Sequence, residues 1–137
     1  MDIDSILDLL SADKSHELQY KGIQLAERVN CINVFIQPRG KKNNKNVWNN
    51  CALILNNRMD VELEPYIMDL LEWIADMNWP GANIIYNRLT KYGDYSWLEF
   101  CIKNSLKIAN ALSDEQWVDN LEALLIHCSR STFPNTI

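Results

Sequence analysis

Apolar residues recur along most of the chain at intervals of three and four positions, the spacing that places side chains on one face of an α-helix. No segment shows the sustained apolar and polar alternation that is typical of a strand. The run Cys31–Pro38 is β-like in composition but short and ends in proline, so it is interpreted as a helix end or an extended connector. The predicted helical faces are Leu18, Gly22, Leu25, Ala26 and Val29; Trp48, Cys51, Ala52 and Leu55; Ile67, Leu70, Leu71 and Ile74; Leu98, Cys101, Ile102, Ser105, Ala109 and Leu112; and Trp117, Leu121, Leu124, Leu125 and Cys128.

An internal repeat suggests how these helices are arranged. The segments Ala52–Arg58 and Ala82–Arg88 both read A-x-I-x-x-N-R, and each is followed by a short break and another amphipathic segment. Two helices per repeat are typical of HEAT and armadillo proteins. We therefore predict an all-α chain, 1–137, forming one domain of antiparallel helix pairs stacked as a short HEAT/armadillo-like α-solenoid, with an irregular helical bundle as the alternative. Residues 37–45 are predicted to form a basic, mobile loop, and residues 130–137 a frayed tail.

Residues that favour helix ends mark several boundaries. Pro65 is suited to the first turn of a helix, and Gly93 to a helix C-terminus followed by Asp94 as an N-cap. Ser113 and Gln116 have the spacing of a capping box, which predicts a helix starting at the serine. The Asn-Arg pairs that end the two repeats are predicted to close helix ends or bridge repeats by charge-assisted hydrogen bonds. The arginines of these pairs are Arg58 and Arg88.

The stretch LLEWIADMNWPGA, which starts at Leu70, is predicted to form a helix, a corner and a second helix. A residue before proline avoids the α region, so the first helix should end at Trp79 and Pro80 should occupy the first position of the next. Asn78 or Trp79 would lie in the cap region, and Gly81 would allow the helices to approach closely. Trp73 and Trp79 are large enough to bury the seam between the two helices.

The charge of the chain is uneven. The net charge is −5, and the window between Arg58 and Arg88 contains six acidic residues and no lysine or arginine. Asp69, Glu72 and Asp76 should lie opposite the apolar stripe of their helix. This acidic surface, flanked by Tyr66 and Trp73 as exposed aromatic anchors, is predicted to bind a basic protein partner. The simpler interpretation is a solvated helix surface, and either one argues against a large nucleic-acid-binding face.

The sequence offers little support for catalysis. It contains no P-loop, dinucleotide-binding, nucleophile-elbow or zinc-protease motif. Glu72 and Asp76, four positions apart, suggest a carboxylate-based enzyme, but helical metal sites and hydrolases usually need further ligands. The two histidines, His16 and His127, do not have ligand spacing to these acids. We therefore expect no enzyme activity, no cofactor and no metal.

The four cysteines and the N-terminus bear on location. Cys31, Cys51, Cys101 and Cys128 form no C-x-x-C pair and are interpreted as reduced core residues, with zinc binding or a disulfide framework as the minor alternatives. The acidic N-terminal segment lacks the basic region of a signal peptide, and no apolar run is long enough to span a bilayer. These features lead us to expect a cytoplasmic protein that does not bind membranes.

The segments WNNCALIL and LEPYIMDLLEWIADMNWPGANIIYNRL resemble a bacterial family of unknown function with the core L-L-E-W-x-x-D-x-N-W-P-G-A. The resemblance covers Trp48–Leu89 and implies a small all-helical, HEAT-like domain with no established enzyme activity. In size, charge and fold, such proteins are similar to the immunity proteins that accompany bacterial polymorphic or contact-dependent toxins, although a fold by itself does not define a function. The matching positions are Glu72, Trp73, Asp76, Asn78, Trp79, Pro80, Gly81 and Ala82.

Three functional hypotheses follow. The leading one is a non-catalytic protein that neutralises a cognate toxin by binding its basic surface through the segment Asp60–Asp76. The alternative is a general helical scaffold or adaptor that binds other proteins without protecting against a toxin. A small enzyme that uses Glu72 and Asp76 is the least favoured, since it requires both carboxylates in one concave pocket.

Overall fold

A computed structural model of the chain describes residues 2–38 and 45–132. Over these residues the protein is all-α and contains no strand, which confirms the predicted fold class. None of the described helices is long and apolar enough to cross a bilayer. The α-helices are α1 Ile3–Leu9, α2 His16–Ala26, α3 Trp48–Asn56, α4 Asp60–Leu63, α5 Ile67–Trp73, α6 Ala82–Thr90, α7 Tyr95–Ala111 and α8 Glu115–Thr132; 3₁₀ turns span Ile32–Phe35, Lys45–Val47 and Glu64–Tyr66.

Several helices begin at a side chain that accepts a hydrogen bond from the first turn. Asp2 caps α1 and Ser15 caps α2 in this way. Asp94 Oδ1 accepts from the backbone N–H of Trp97 at 3.1 Å, so the predicted cap of α7 is confirmed. These oxygens satisfy backbone donors that have no partner inside the helix.

The boundary between α7 and α8 differs from the prediction. Ser113 has a positive φ of 56° and follows the end of α7, so it does not cap α8. The Ser113 N–H donates to Asn110 O at 3.0 Å and the Asp114 N–H to Ala109 O at 2.9 Å, which is a Schellman C-terminal motif. Asp114 then caps α8 by accepting from Trp117 N–H at 3.1 Å.

The predicted apolar faces form most of the core. Every predicted core position of α3 and α5 is buried, and α7 and α8 contribute most of theirs. Leu18 and Leu112 are the clear exceptions, with 41% and 66% of their surface exposed. Helices pack in pairs, α1 with α2 and α7 with α8, while α3 packs on α6, α5 on α7 and α6 on α8. This pairing agrees with stacked helix pairs, and the HEAT-like solenoid itself stays a prediction.

The segment before α3 is more structured than expected. Cys31–Pro38 contains the 3₁₀ turn Ile32–Phe35 and an extended Ile36, and it ends in a cis Gln37–Pro38 bond. Gln37 and Pro38 are buried, so this end of the predicted loop belongs to the fold. Residues 39–44, the rest of that loop apart from Lys45, lie outside the described residues. At the other terminus α8 continues to Thr132, and residues 133–137 also lie outside the described part of the chain.

The four cysteines are free thiols in different environments. Cys51, Cys101 and Cys128 are buried, whereas Cys31 is exposed, so its assignment to the core is wrong. Cys31 directly precedes the 3₁₀ turn Ile32–Phe35. This turn buries the side chains of Ile32 and Phe35, whereas the side chain of Cys31 stays exposed to solvent. Burial raises the pKa of Cys51 to about 12 and that of Cys128 to about 11.

We expect one thiol per chain to react quickly with Ellman's reagent at about pH 8, because the thiolate is the reactive form and burial suppresses it. The remaining three should react only after denaturation. Cys31→Ser should remove the fast phase, while Cys128→Ser should leave it intact. Fast reaction of two or more thiols in the native protein would contradict this assignment.

Candidate functional site

The joint between α5 and α6 is built on three tryptophans, called here the tryptophan cluster: Trp48, Trp73 and Trp79. The ring centroids of Trp48 lie 6.2 Å from those of Trp73 and 5.7 Å from those of Trp79, with the rings edge to face. Trp73 Nε1 donates to Pro80 O at 3.0 Å, which ties the end of α5 to the start of α6. Trp48 differs, because its buried Nε1 has no hydrogen-bond partner among the described residues. The sequence pattern places Trp48 in the core but does not connect it to this joint.

The helix boundaries in the joint also differ from the prediction. Helix α5 ends at Trp73, six positions before Trp79, and α6 begins only at Ala82. Gly81 is the N-cap of α6 with a left-handed φ of 82°, so Pro80 lies outside the helix and is not its first residue. The left-handed residue changes the direction of the chain immediately before α6, which is why the helix cannot extend back to the proline.

The predicted partner-binding residues fall into different environments. Trp73 is completely buried, so it cannot act as an exposed aromatic anchor in the folded protein. Asp76 lies beyond the end of α5, where its Oδ1 accepts from the Asn78 N–H at 2.8 Å and closes a turn. Tyr66, Asp69 and Glu72 are partly exposed, so a partner can reach them.

Arg58 closes the end of α2. Its Nη2 donates to Ala26 O at 2.8 Å and to Val29 O at 2.9 Å, carbonyls that lie at or just beyond the helix C-terminus. A cation is favourable there because the helix dipole leaves partial negative charge at this end. Arg58 Nη1 also pairs with Glu62 Oε2 at 3.0 Å, and Glu62 Oε1 accepts from the Met59 N–H. Arg58 therefore ties α2 to the corner between α3 and α4.

Arg88, 30 positions after Arg58, makes the corresponding connection. Its Nη2 donates to Arg58 O at 2.8 Å and to Asp60 Oδ1 at 2.6 Å. The other oxygen of Asp60 accepts from the Gly93 N–H at 2.8 Å. Gly93 is thus a backbone donor to Asp60 and not the predicted C-cap, because α6 ends at Thr90 and is capped by Lys91. The two arginines form a continuous chain of charge-assisted bonds between helix ends.

Two of the acids between Arg58 and Arg88, Asp60 and Glu62, take part in these contacts. Hydrogen bonds from Met59 N–H and Arg58 lower the pKa of the Glu62 carboxyl. Partial burial raises the pKa of Asp60, but the Gly93 N–H and the Arg88 guanidinium outweigh this effect, so its pKa is also lowered. Asp60 and Glu62 are therefore structural acids as well as members of the acidic surface.

A carboxyl whose pKa is lower in the folded state stabilises the fold above its unfolded pKa and loses that effect as the pH falls through the folded value. The ordinary values are 3.8 for Asp60 and 4.5 for Glu62, so we expect the stabilisation to disappear below this range. Urea unfolding measured across this pH range should show that the free energy of unfolding falls more steeply with decreasing pH in the wild type than in the double variant Asp60→Asn/Glu62→Gln. Equal slopes would show that these carboxyls do not contribute.

A surface cleft lies beside this network, between α2 and the corner formed by α3 and α4. Its volume is about 480 Å³, and neither Glu72 nor Asp76 lines it. Met59 and Val61, at and just after the corner, are 65% and 68% exposed. The cleft is lined by Ile23, Glu27, Ile54, Asn57, Arg58, Met59 and Glu62.

No group of three or more His, Cys, Asp or Glu side chains within the described residues is placed to hold a metal ion. Tyr86 and His127 form a hydrogen-bonded pair, with Oη and Nδ1 2.6 Å apart. Partial burial raises the pKa of Tyr86, which makes its phenol a poorer nucleophile at neutral pH. This pair links α6 to α8.

The fold and these connections define a small all-helical protein in which arginines and tryptophans join the ends of successive helices. The chain belongs to the family described as a domain of unknown function (DUF5071), which matches residues 37–133. The match extends on both sides beyond Trp48–Leu89, the segment that carries the core motif. It leaves out α1 and α2, including the helix end that Arg58 caps. Neither the curated proteins nor the solved structures provide a match to this chain.

Proposed function

We propose that this protein is a non-catalytic binding protein, and specifically an immunity protein that neutralises a basic toxin domain by direct contact. The observation behind this proposal is the exposure of Met59 and Val61 at the start of the acidic segment Asp60–Asp76. Interfaces commonly combine apolar anchors with a polar or charged rim. The corner thus offers both the contact area and the charge for a cationic protein surface.

The charge that remains available supports the same proposal. The carboxylates of Glu64 and Glu72 make no hydrogen bond or salt bridge to a described residue, and no lysine or arginine lies between Arg58 and Arg88. Negative charge of this kind accelerates association with a basic partner. Tyr66 and Asp69 lie between these two glutamates and are proposed to belong to the same contact surface, with Asp76 at its edge.

The test is a binding measurement with the product of the adjacent reading frame, together with rescue of growth when that product is expressed. We expect the double variant Glu64→Lys/Glu72→Lys to weaken binding at least about tenfold, because charge reversal opposes a basic surface. The matched control Asp119→Lys/Glu122→Lys reverses two exposed acids on α8 and should bind like the wild type. A neighbouring product that is neither toxic nor bound would contradict the immunity proposal.

The adaptor hypothesis has one structural feature in its favour. Phe100, Ile108 and Leu112 form a second exposed apolar stripe, on α7 and at its C-terminal cap. Trp97 stacks on Phe100 with the ring centroids 5.6 Å apart, which extends the apolar surface. An adaptor that uses this stripe would lose its partner in the Phe100→Asp variant and would not protect against any toxin.

A further inference from the structure

We propose that the cleft between α2 and the α3–α4 corner receives an arginine side chain of the partner protein. This inference rests on the proposed function, since it assumes a basic protein partner, and it adds the place and the chemistry of one anchor. It involves α2, which lies outside both the acidic segment and the region matched by the family. The cleft would therefore provide a contact that is separate from the charge of α5.

The shape of the cleft suits the aliphatic stem of such a side chain. Its volume of about 480 Å³ lies within the range of ligand-binding clefts. Ile54 is almost fully buried and forms the floor, Ile23 is half-buried, and Met59 is largely exposed beside them. Long cationic side chains bury their methylene groups on surfaces of this kind while the charged head stays near water.

The charge of the lining favours a cation over an anion. The Arg58 guanidinium is committed to Ala26 O, Val29 O and Glu62, so its positive charge is compensated within the fold. The Glu27 carboxylate is exposed and makes no hydrogen bond or salt bridge to a described residue. The charge left unmatched in the lining is therefore negative, and it lies next to the apolar floor.

An aromatic ring on the same face of α2 favours arginine over lysine. Tyr20, Ile23 and Glu27 are spaced three and four positions apart, so they share one face of the helix. Tyr20 is 62% exposed, which leaves its ring accessible one turn before the cleft. A planar guanidinium can pair with a carboxylate through two hydrogen bonds and stack on an aromatic ring, whereas an ammonium group acts as a point charge.

The cleft is tested by NMR titration of the full-length protein, labelled at isoleucine and methionine methyl groups, with N-acetyl-arginine methylamide. We expect saturable shifts at Ile23, Ile54 and Met59, smaller ones with the lysine analogue, and none with the norleucine or glutamate analogues. Glu27→Gln should weaken the arginine probe about three- to fivefold, the size expected for a partly exposed ion pair. The matched variant Glu72→Gln removes an equivalent charge elsewhere and should leave the titration unchanged.

The outcomes separate this inference from the proposed function. Shifts that are absent, or that are identical in wild type and Glu27→Gln, would overturn the arginine site. A toxin that binds the wild type and the Glu27→Gln and Met59→Ala variants equally well would also overturn it, while leaving the immunity function standing. If the probe binds as expected but no neighbouring toxin exists, the immunity proposal fails and the cation site remains.

Discussion

Replacing Gly81 with alanine is expected to lower the free energy of unfolding by about 2–5 kcal/mol, from the combined costs of a left-handed non-glycine residue and of overpacking. Gly81 has φ 82°, a conformation that residues with a Cβ rarely adopt. The added Cβ would lie 2.7 Å from Ala52 Cβ, 3.0 Å from Trp48 O and 3.1 Å from Trp73 Cζ2. Two of these atoms belong to α3 and the third to Trp73 at the end of α5, so relief requires moving the helices apart.

Urea denaturation followed by circular dichroism measures this effect, and Gly93→Ala is its control. Gly93 does not have a positive φ, and its added Cβ would meet one atom, Asp60 Oδ2 at 3.2 Å, at the end of a side chain. We expect the control to cost about 1 kcal/mol, the typical cost of a single substitution, because the atom that the added Cβ meets is the end of a side chain that also accepts from the Gly93 N–H. Similar losses for both glycines would show that the left-handed φ and the close contacts at Gly81 do not have the expected effect on stability.

The second large effect is expected at Arg88. Arg88→Met should reduce the free energy of unfolding by about 2–3 kcal/mol, because it leaves the Asp60 carboxylate and the Arg58 carbonyl without their charged donor. The Arg88 side chain is 11% exposed and that of Asp60 is 40% exposed, so solvent screens part of the loss. Methionine retains most of the aliphatic length of the arginine side chain, so the variant removes the charge while keeping most of the packing.

A comparison with an exposed pair isolates the effect of burial. Lys103 and Glu99 are 3.5 Å apart on α7, with 60% and 36% of their side chains exposed, and Lys103→Met should change stability by about 0.5 kcal/mol or less. Asp60→Asn combined with Arg88→Met should cost less than the two single variants added together, since both remove the same interaction. Strict additivity of the two substitutions would argue that Arg88 stabilises the protein only through Arg58 O.

The sequence predicts burial correctly where the spacing of apolar residues within one helix determines which face packs into the core. The stripes Trp48–Leu55 and Ile67–Ile74 became core because the 3.6-residue period directly reports which face is buried. The Asp94 cap was equally local, since the carboxylate needs only the N–H groups of the next turn. Boundaries that depend on unusual backbone angles were missed, as at Ser113 and Gly81, because serine and glycine are compatible with both ends of a helix.

The candidate site was less predictable than the fold. The sequence shows that acids are concentrated between Arg58 and Arg88. It does not show which of them are used inside the fold, because this depends on the salt bridges of Asp60 with Arg88 and of Glu62 with Arg58. The cleft was missed altogether, because Ile23 and Ile54 are ordinary members of two separate helices until these pack together. The signal that the sequence offers at this corner is Met59 and Val61, two apolar residues directly after Arg58 that alternate with acids.

From the sequence alone come the all-helical class, the faces that turn inward and the concentration of negative charge between Arg58 and Arg88. The class and the inward faces are determined by residues within a few turns of one another, and the charge is set by composition. The tertiary structure decided that Trp48 completes the joint of α5 and α6, and that Trp73 is buried and not a surface anchor. Those outcomes depend on how α3 packs against α6, a contact between residues far apart in the chain that periodicity does not encode.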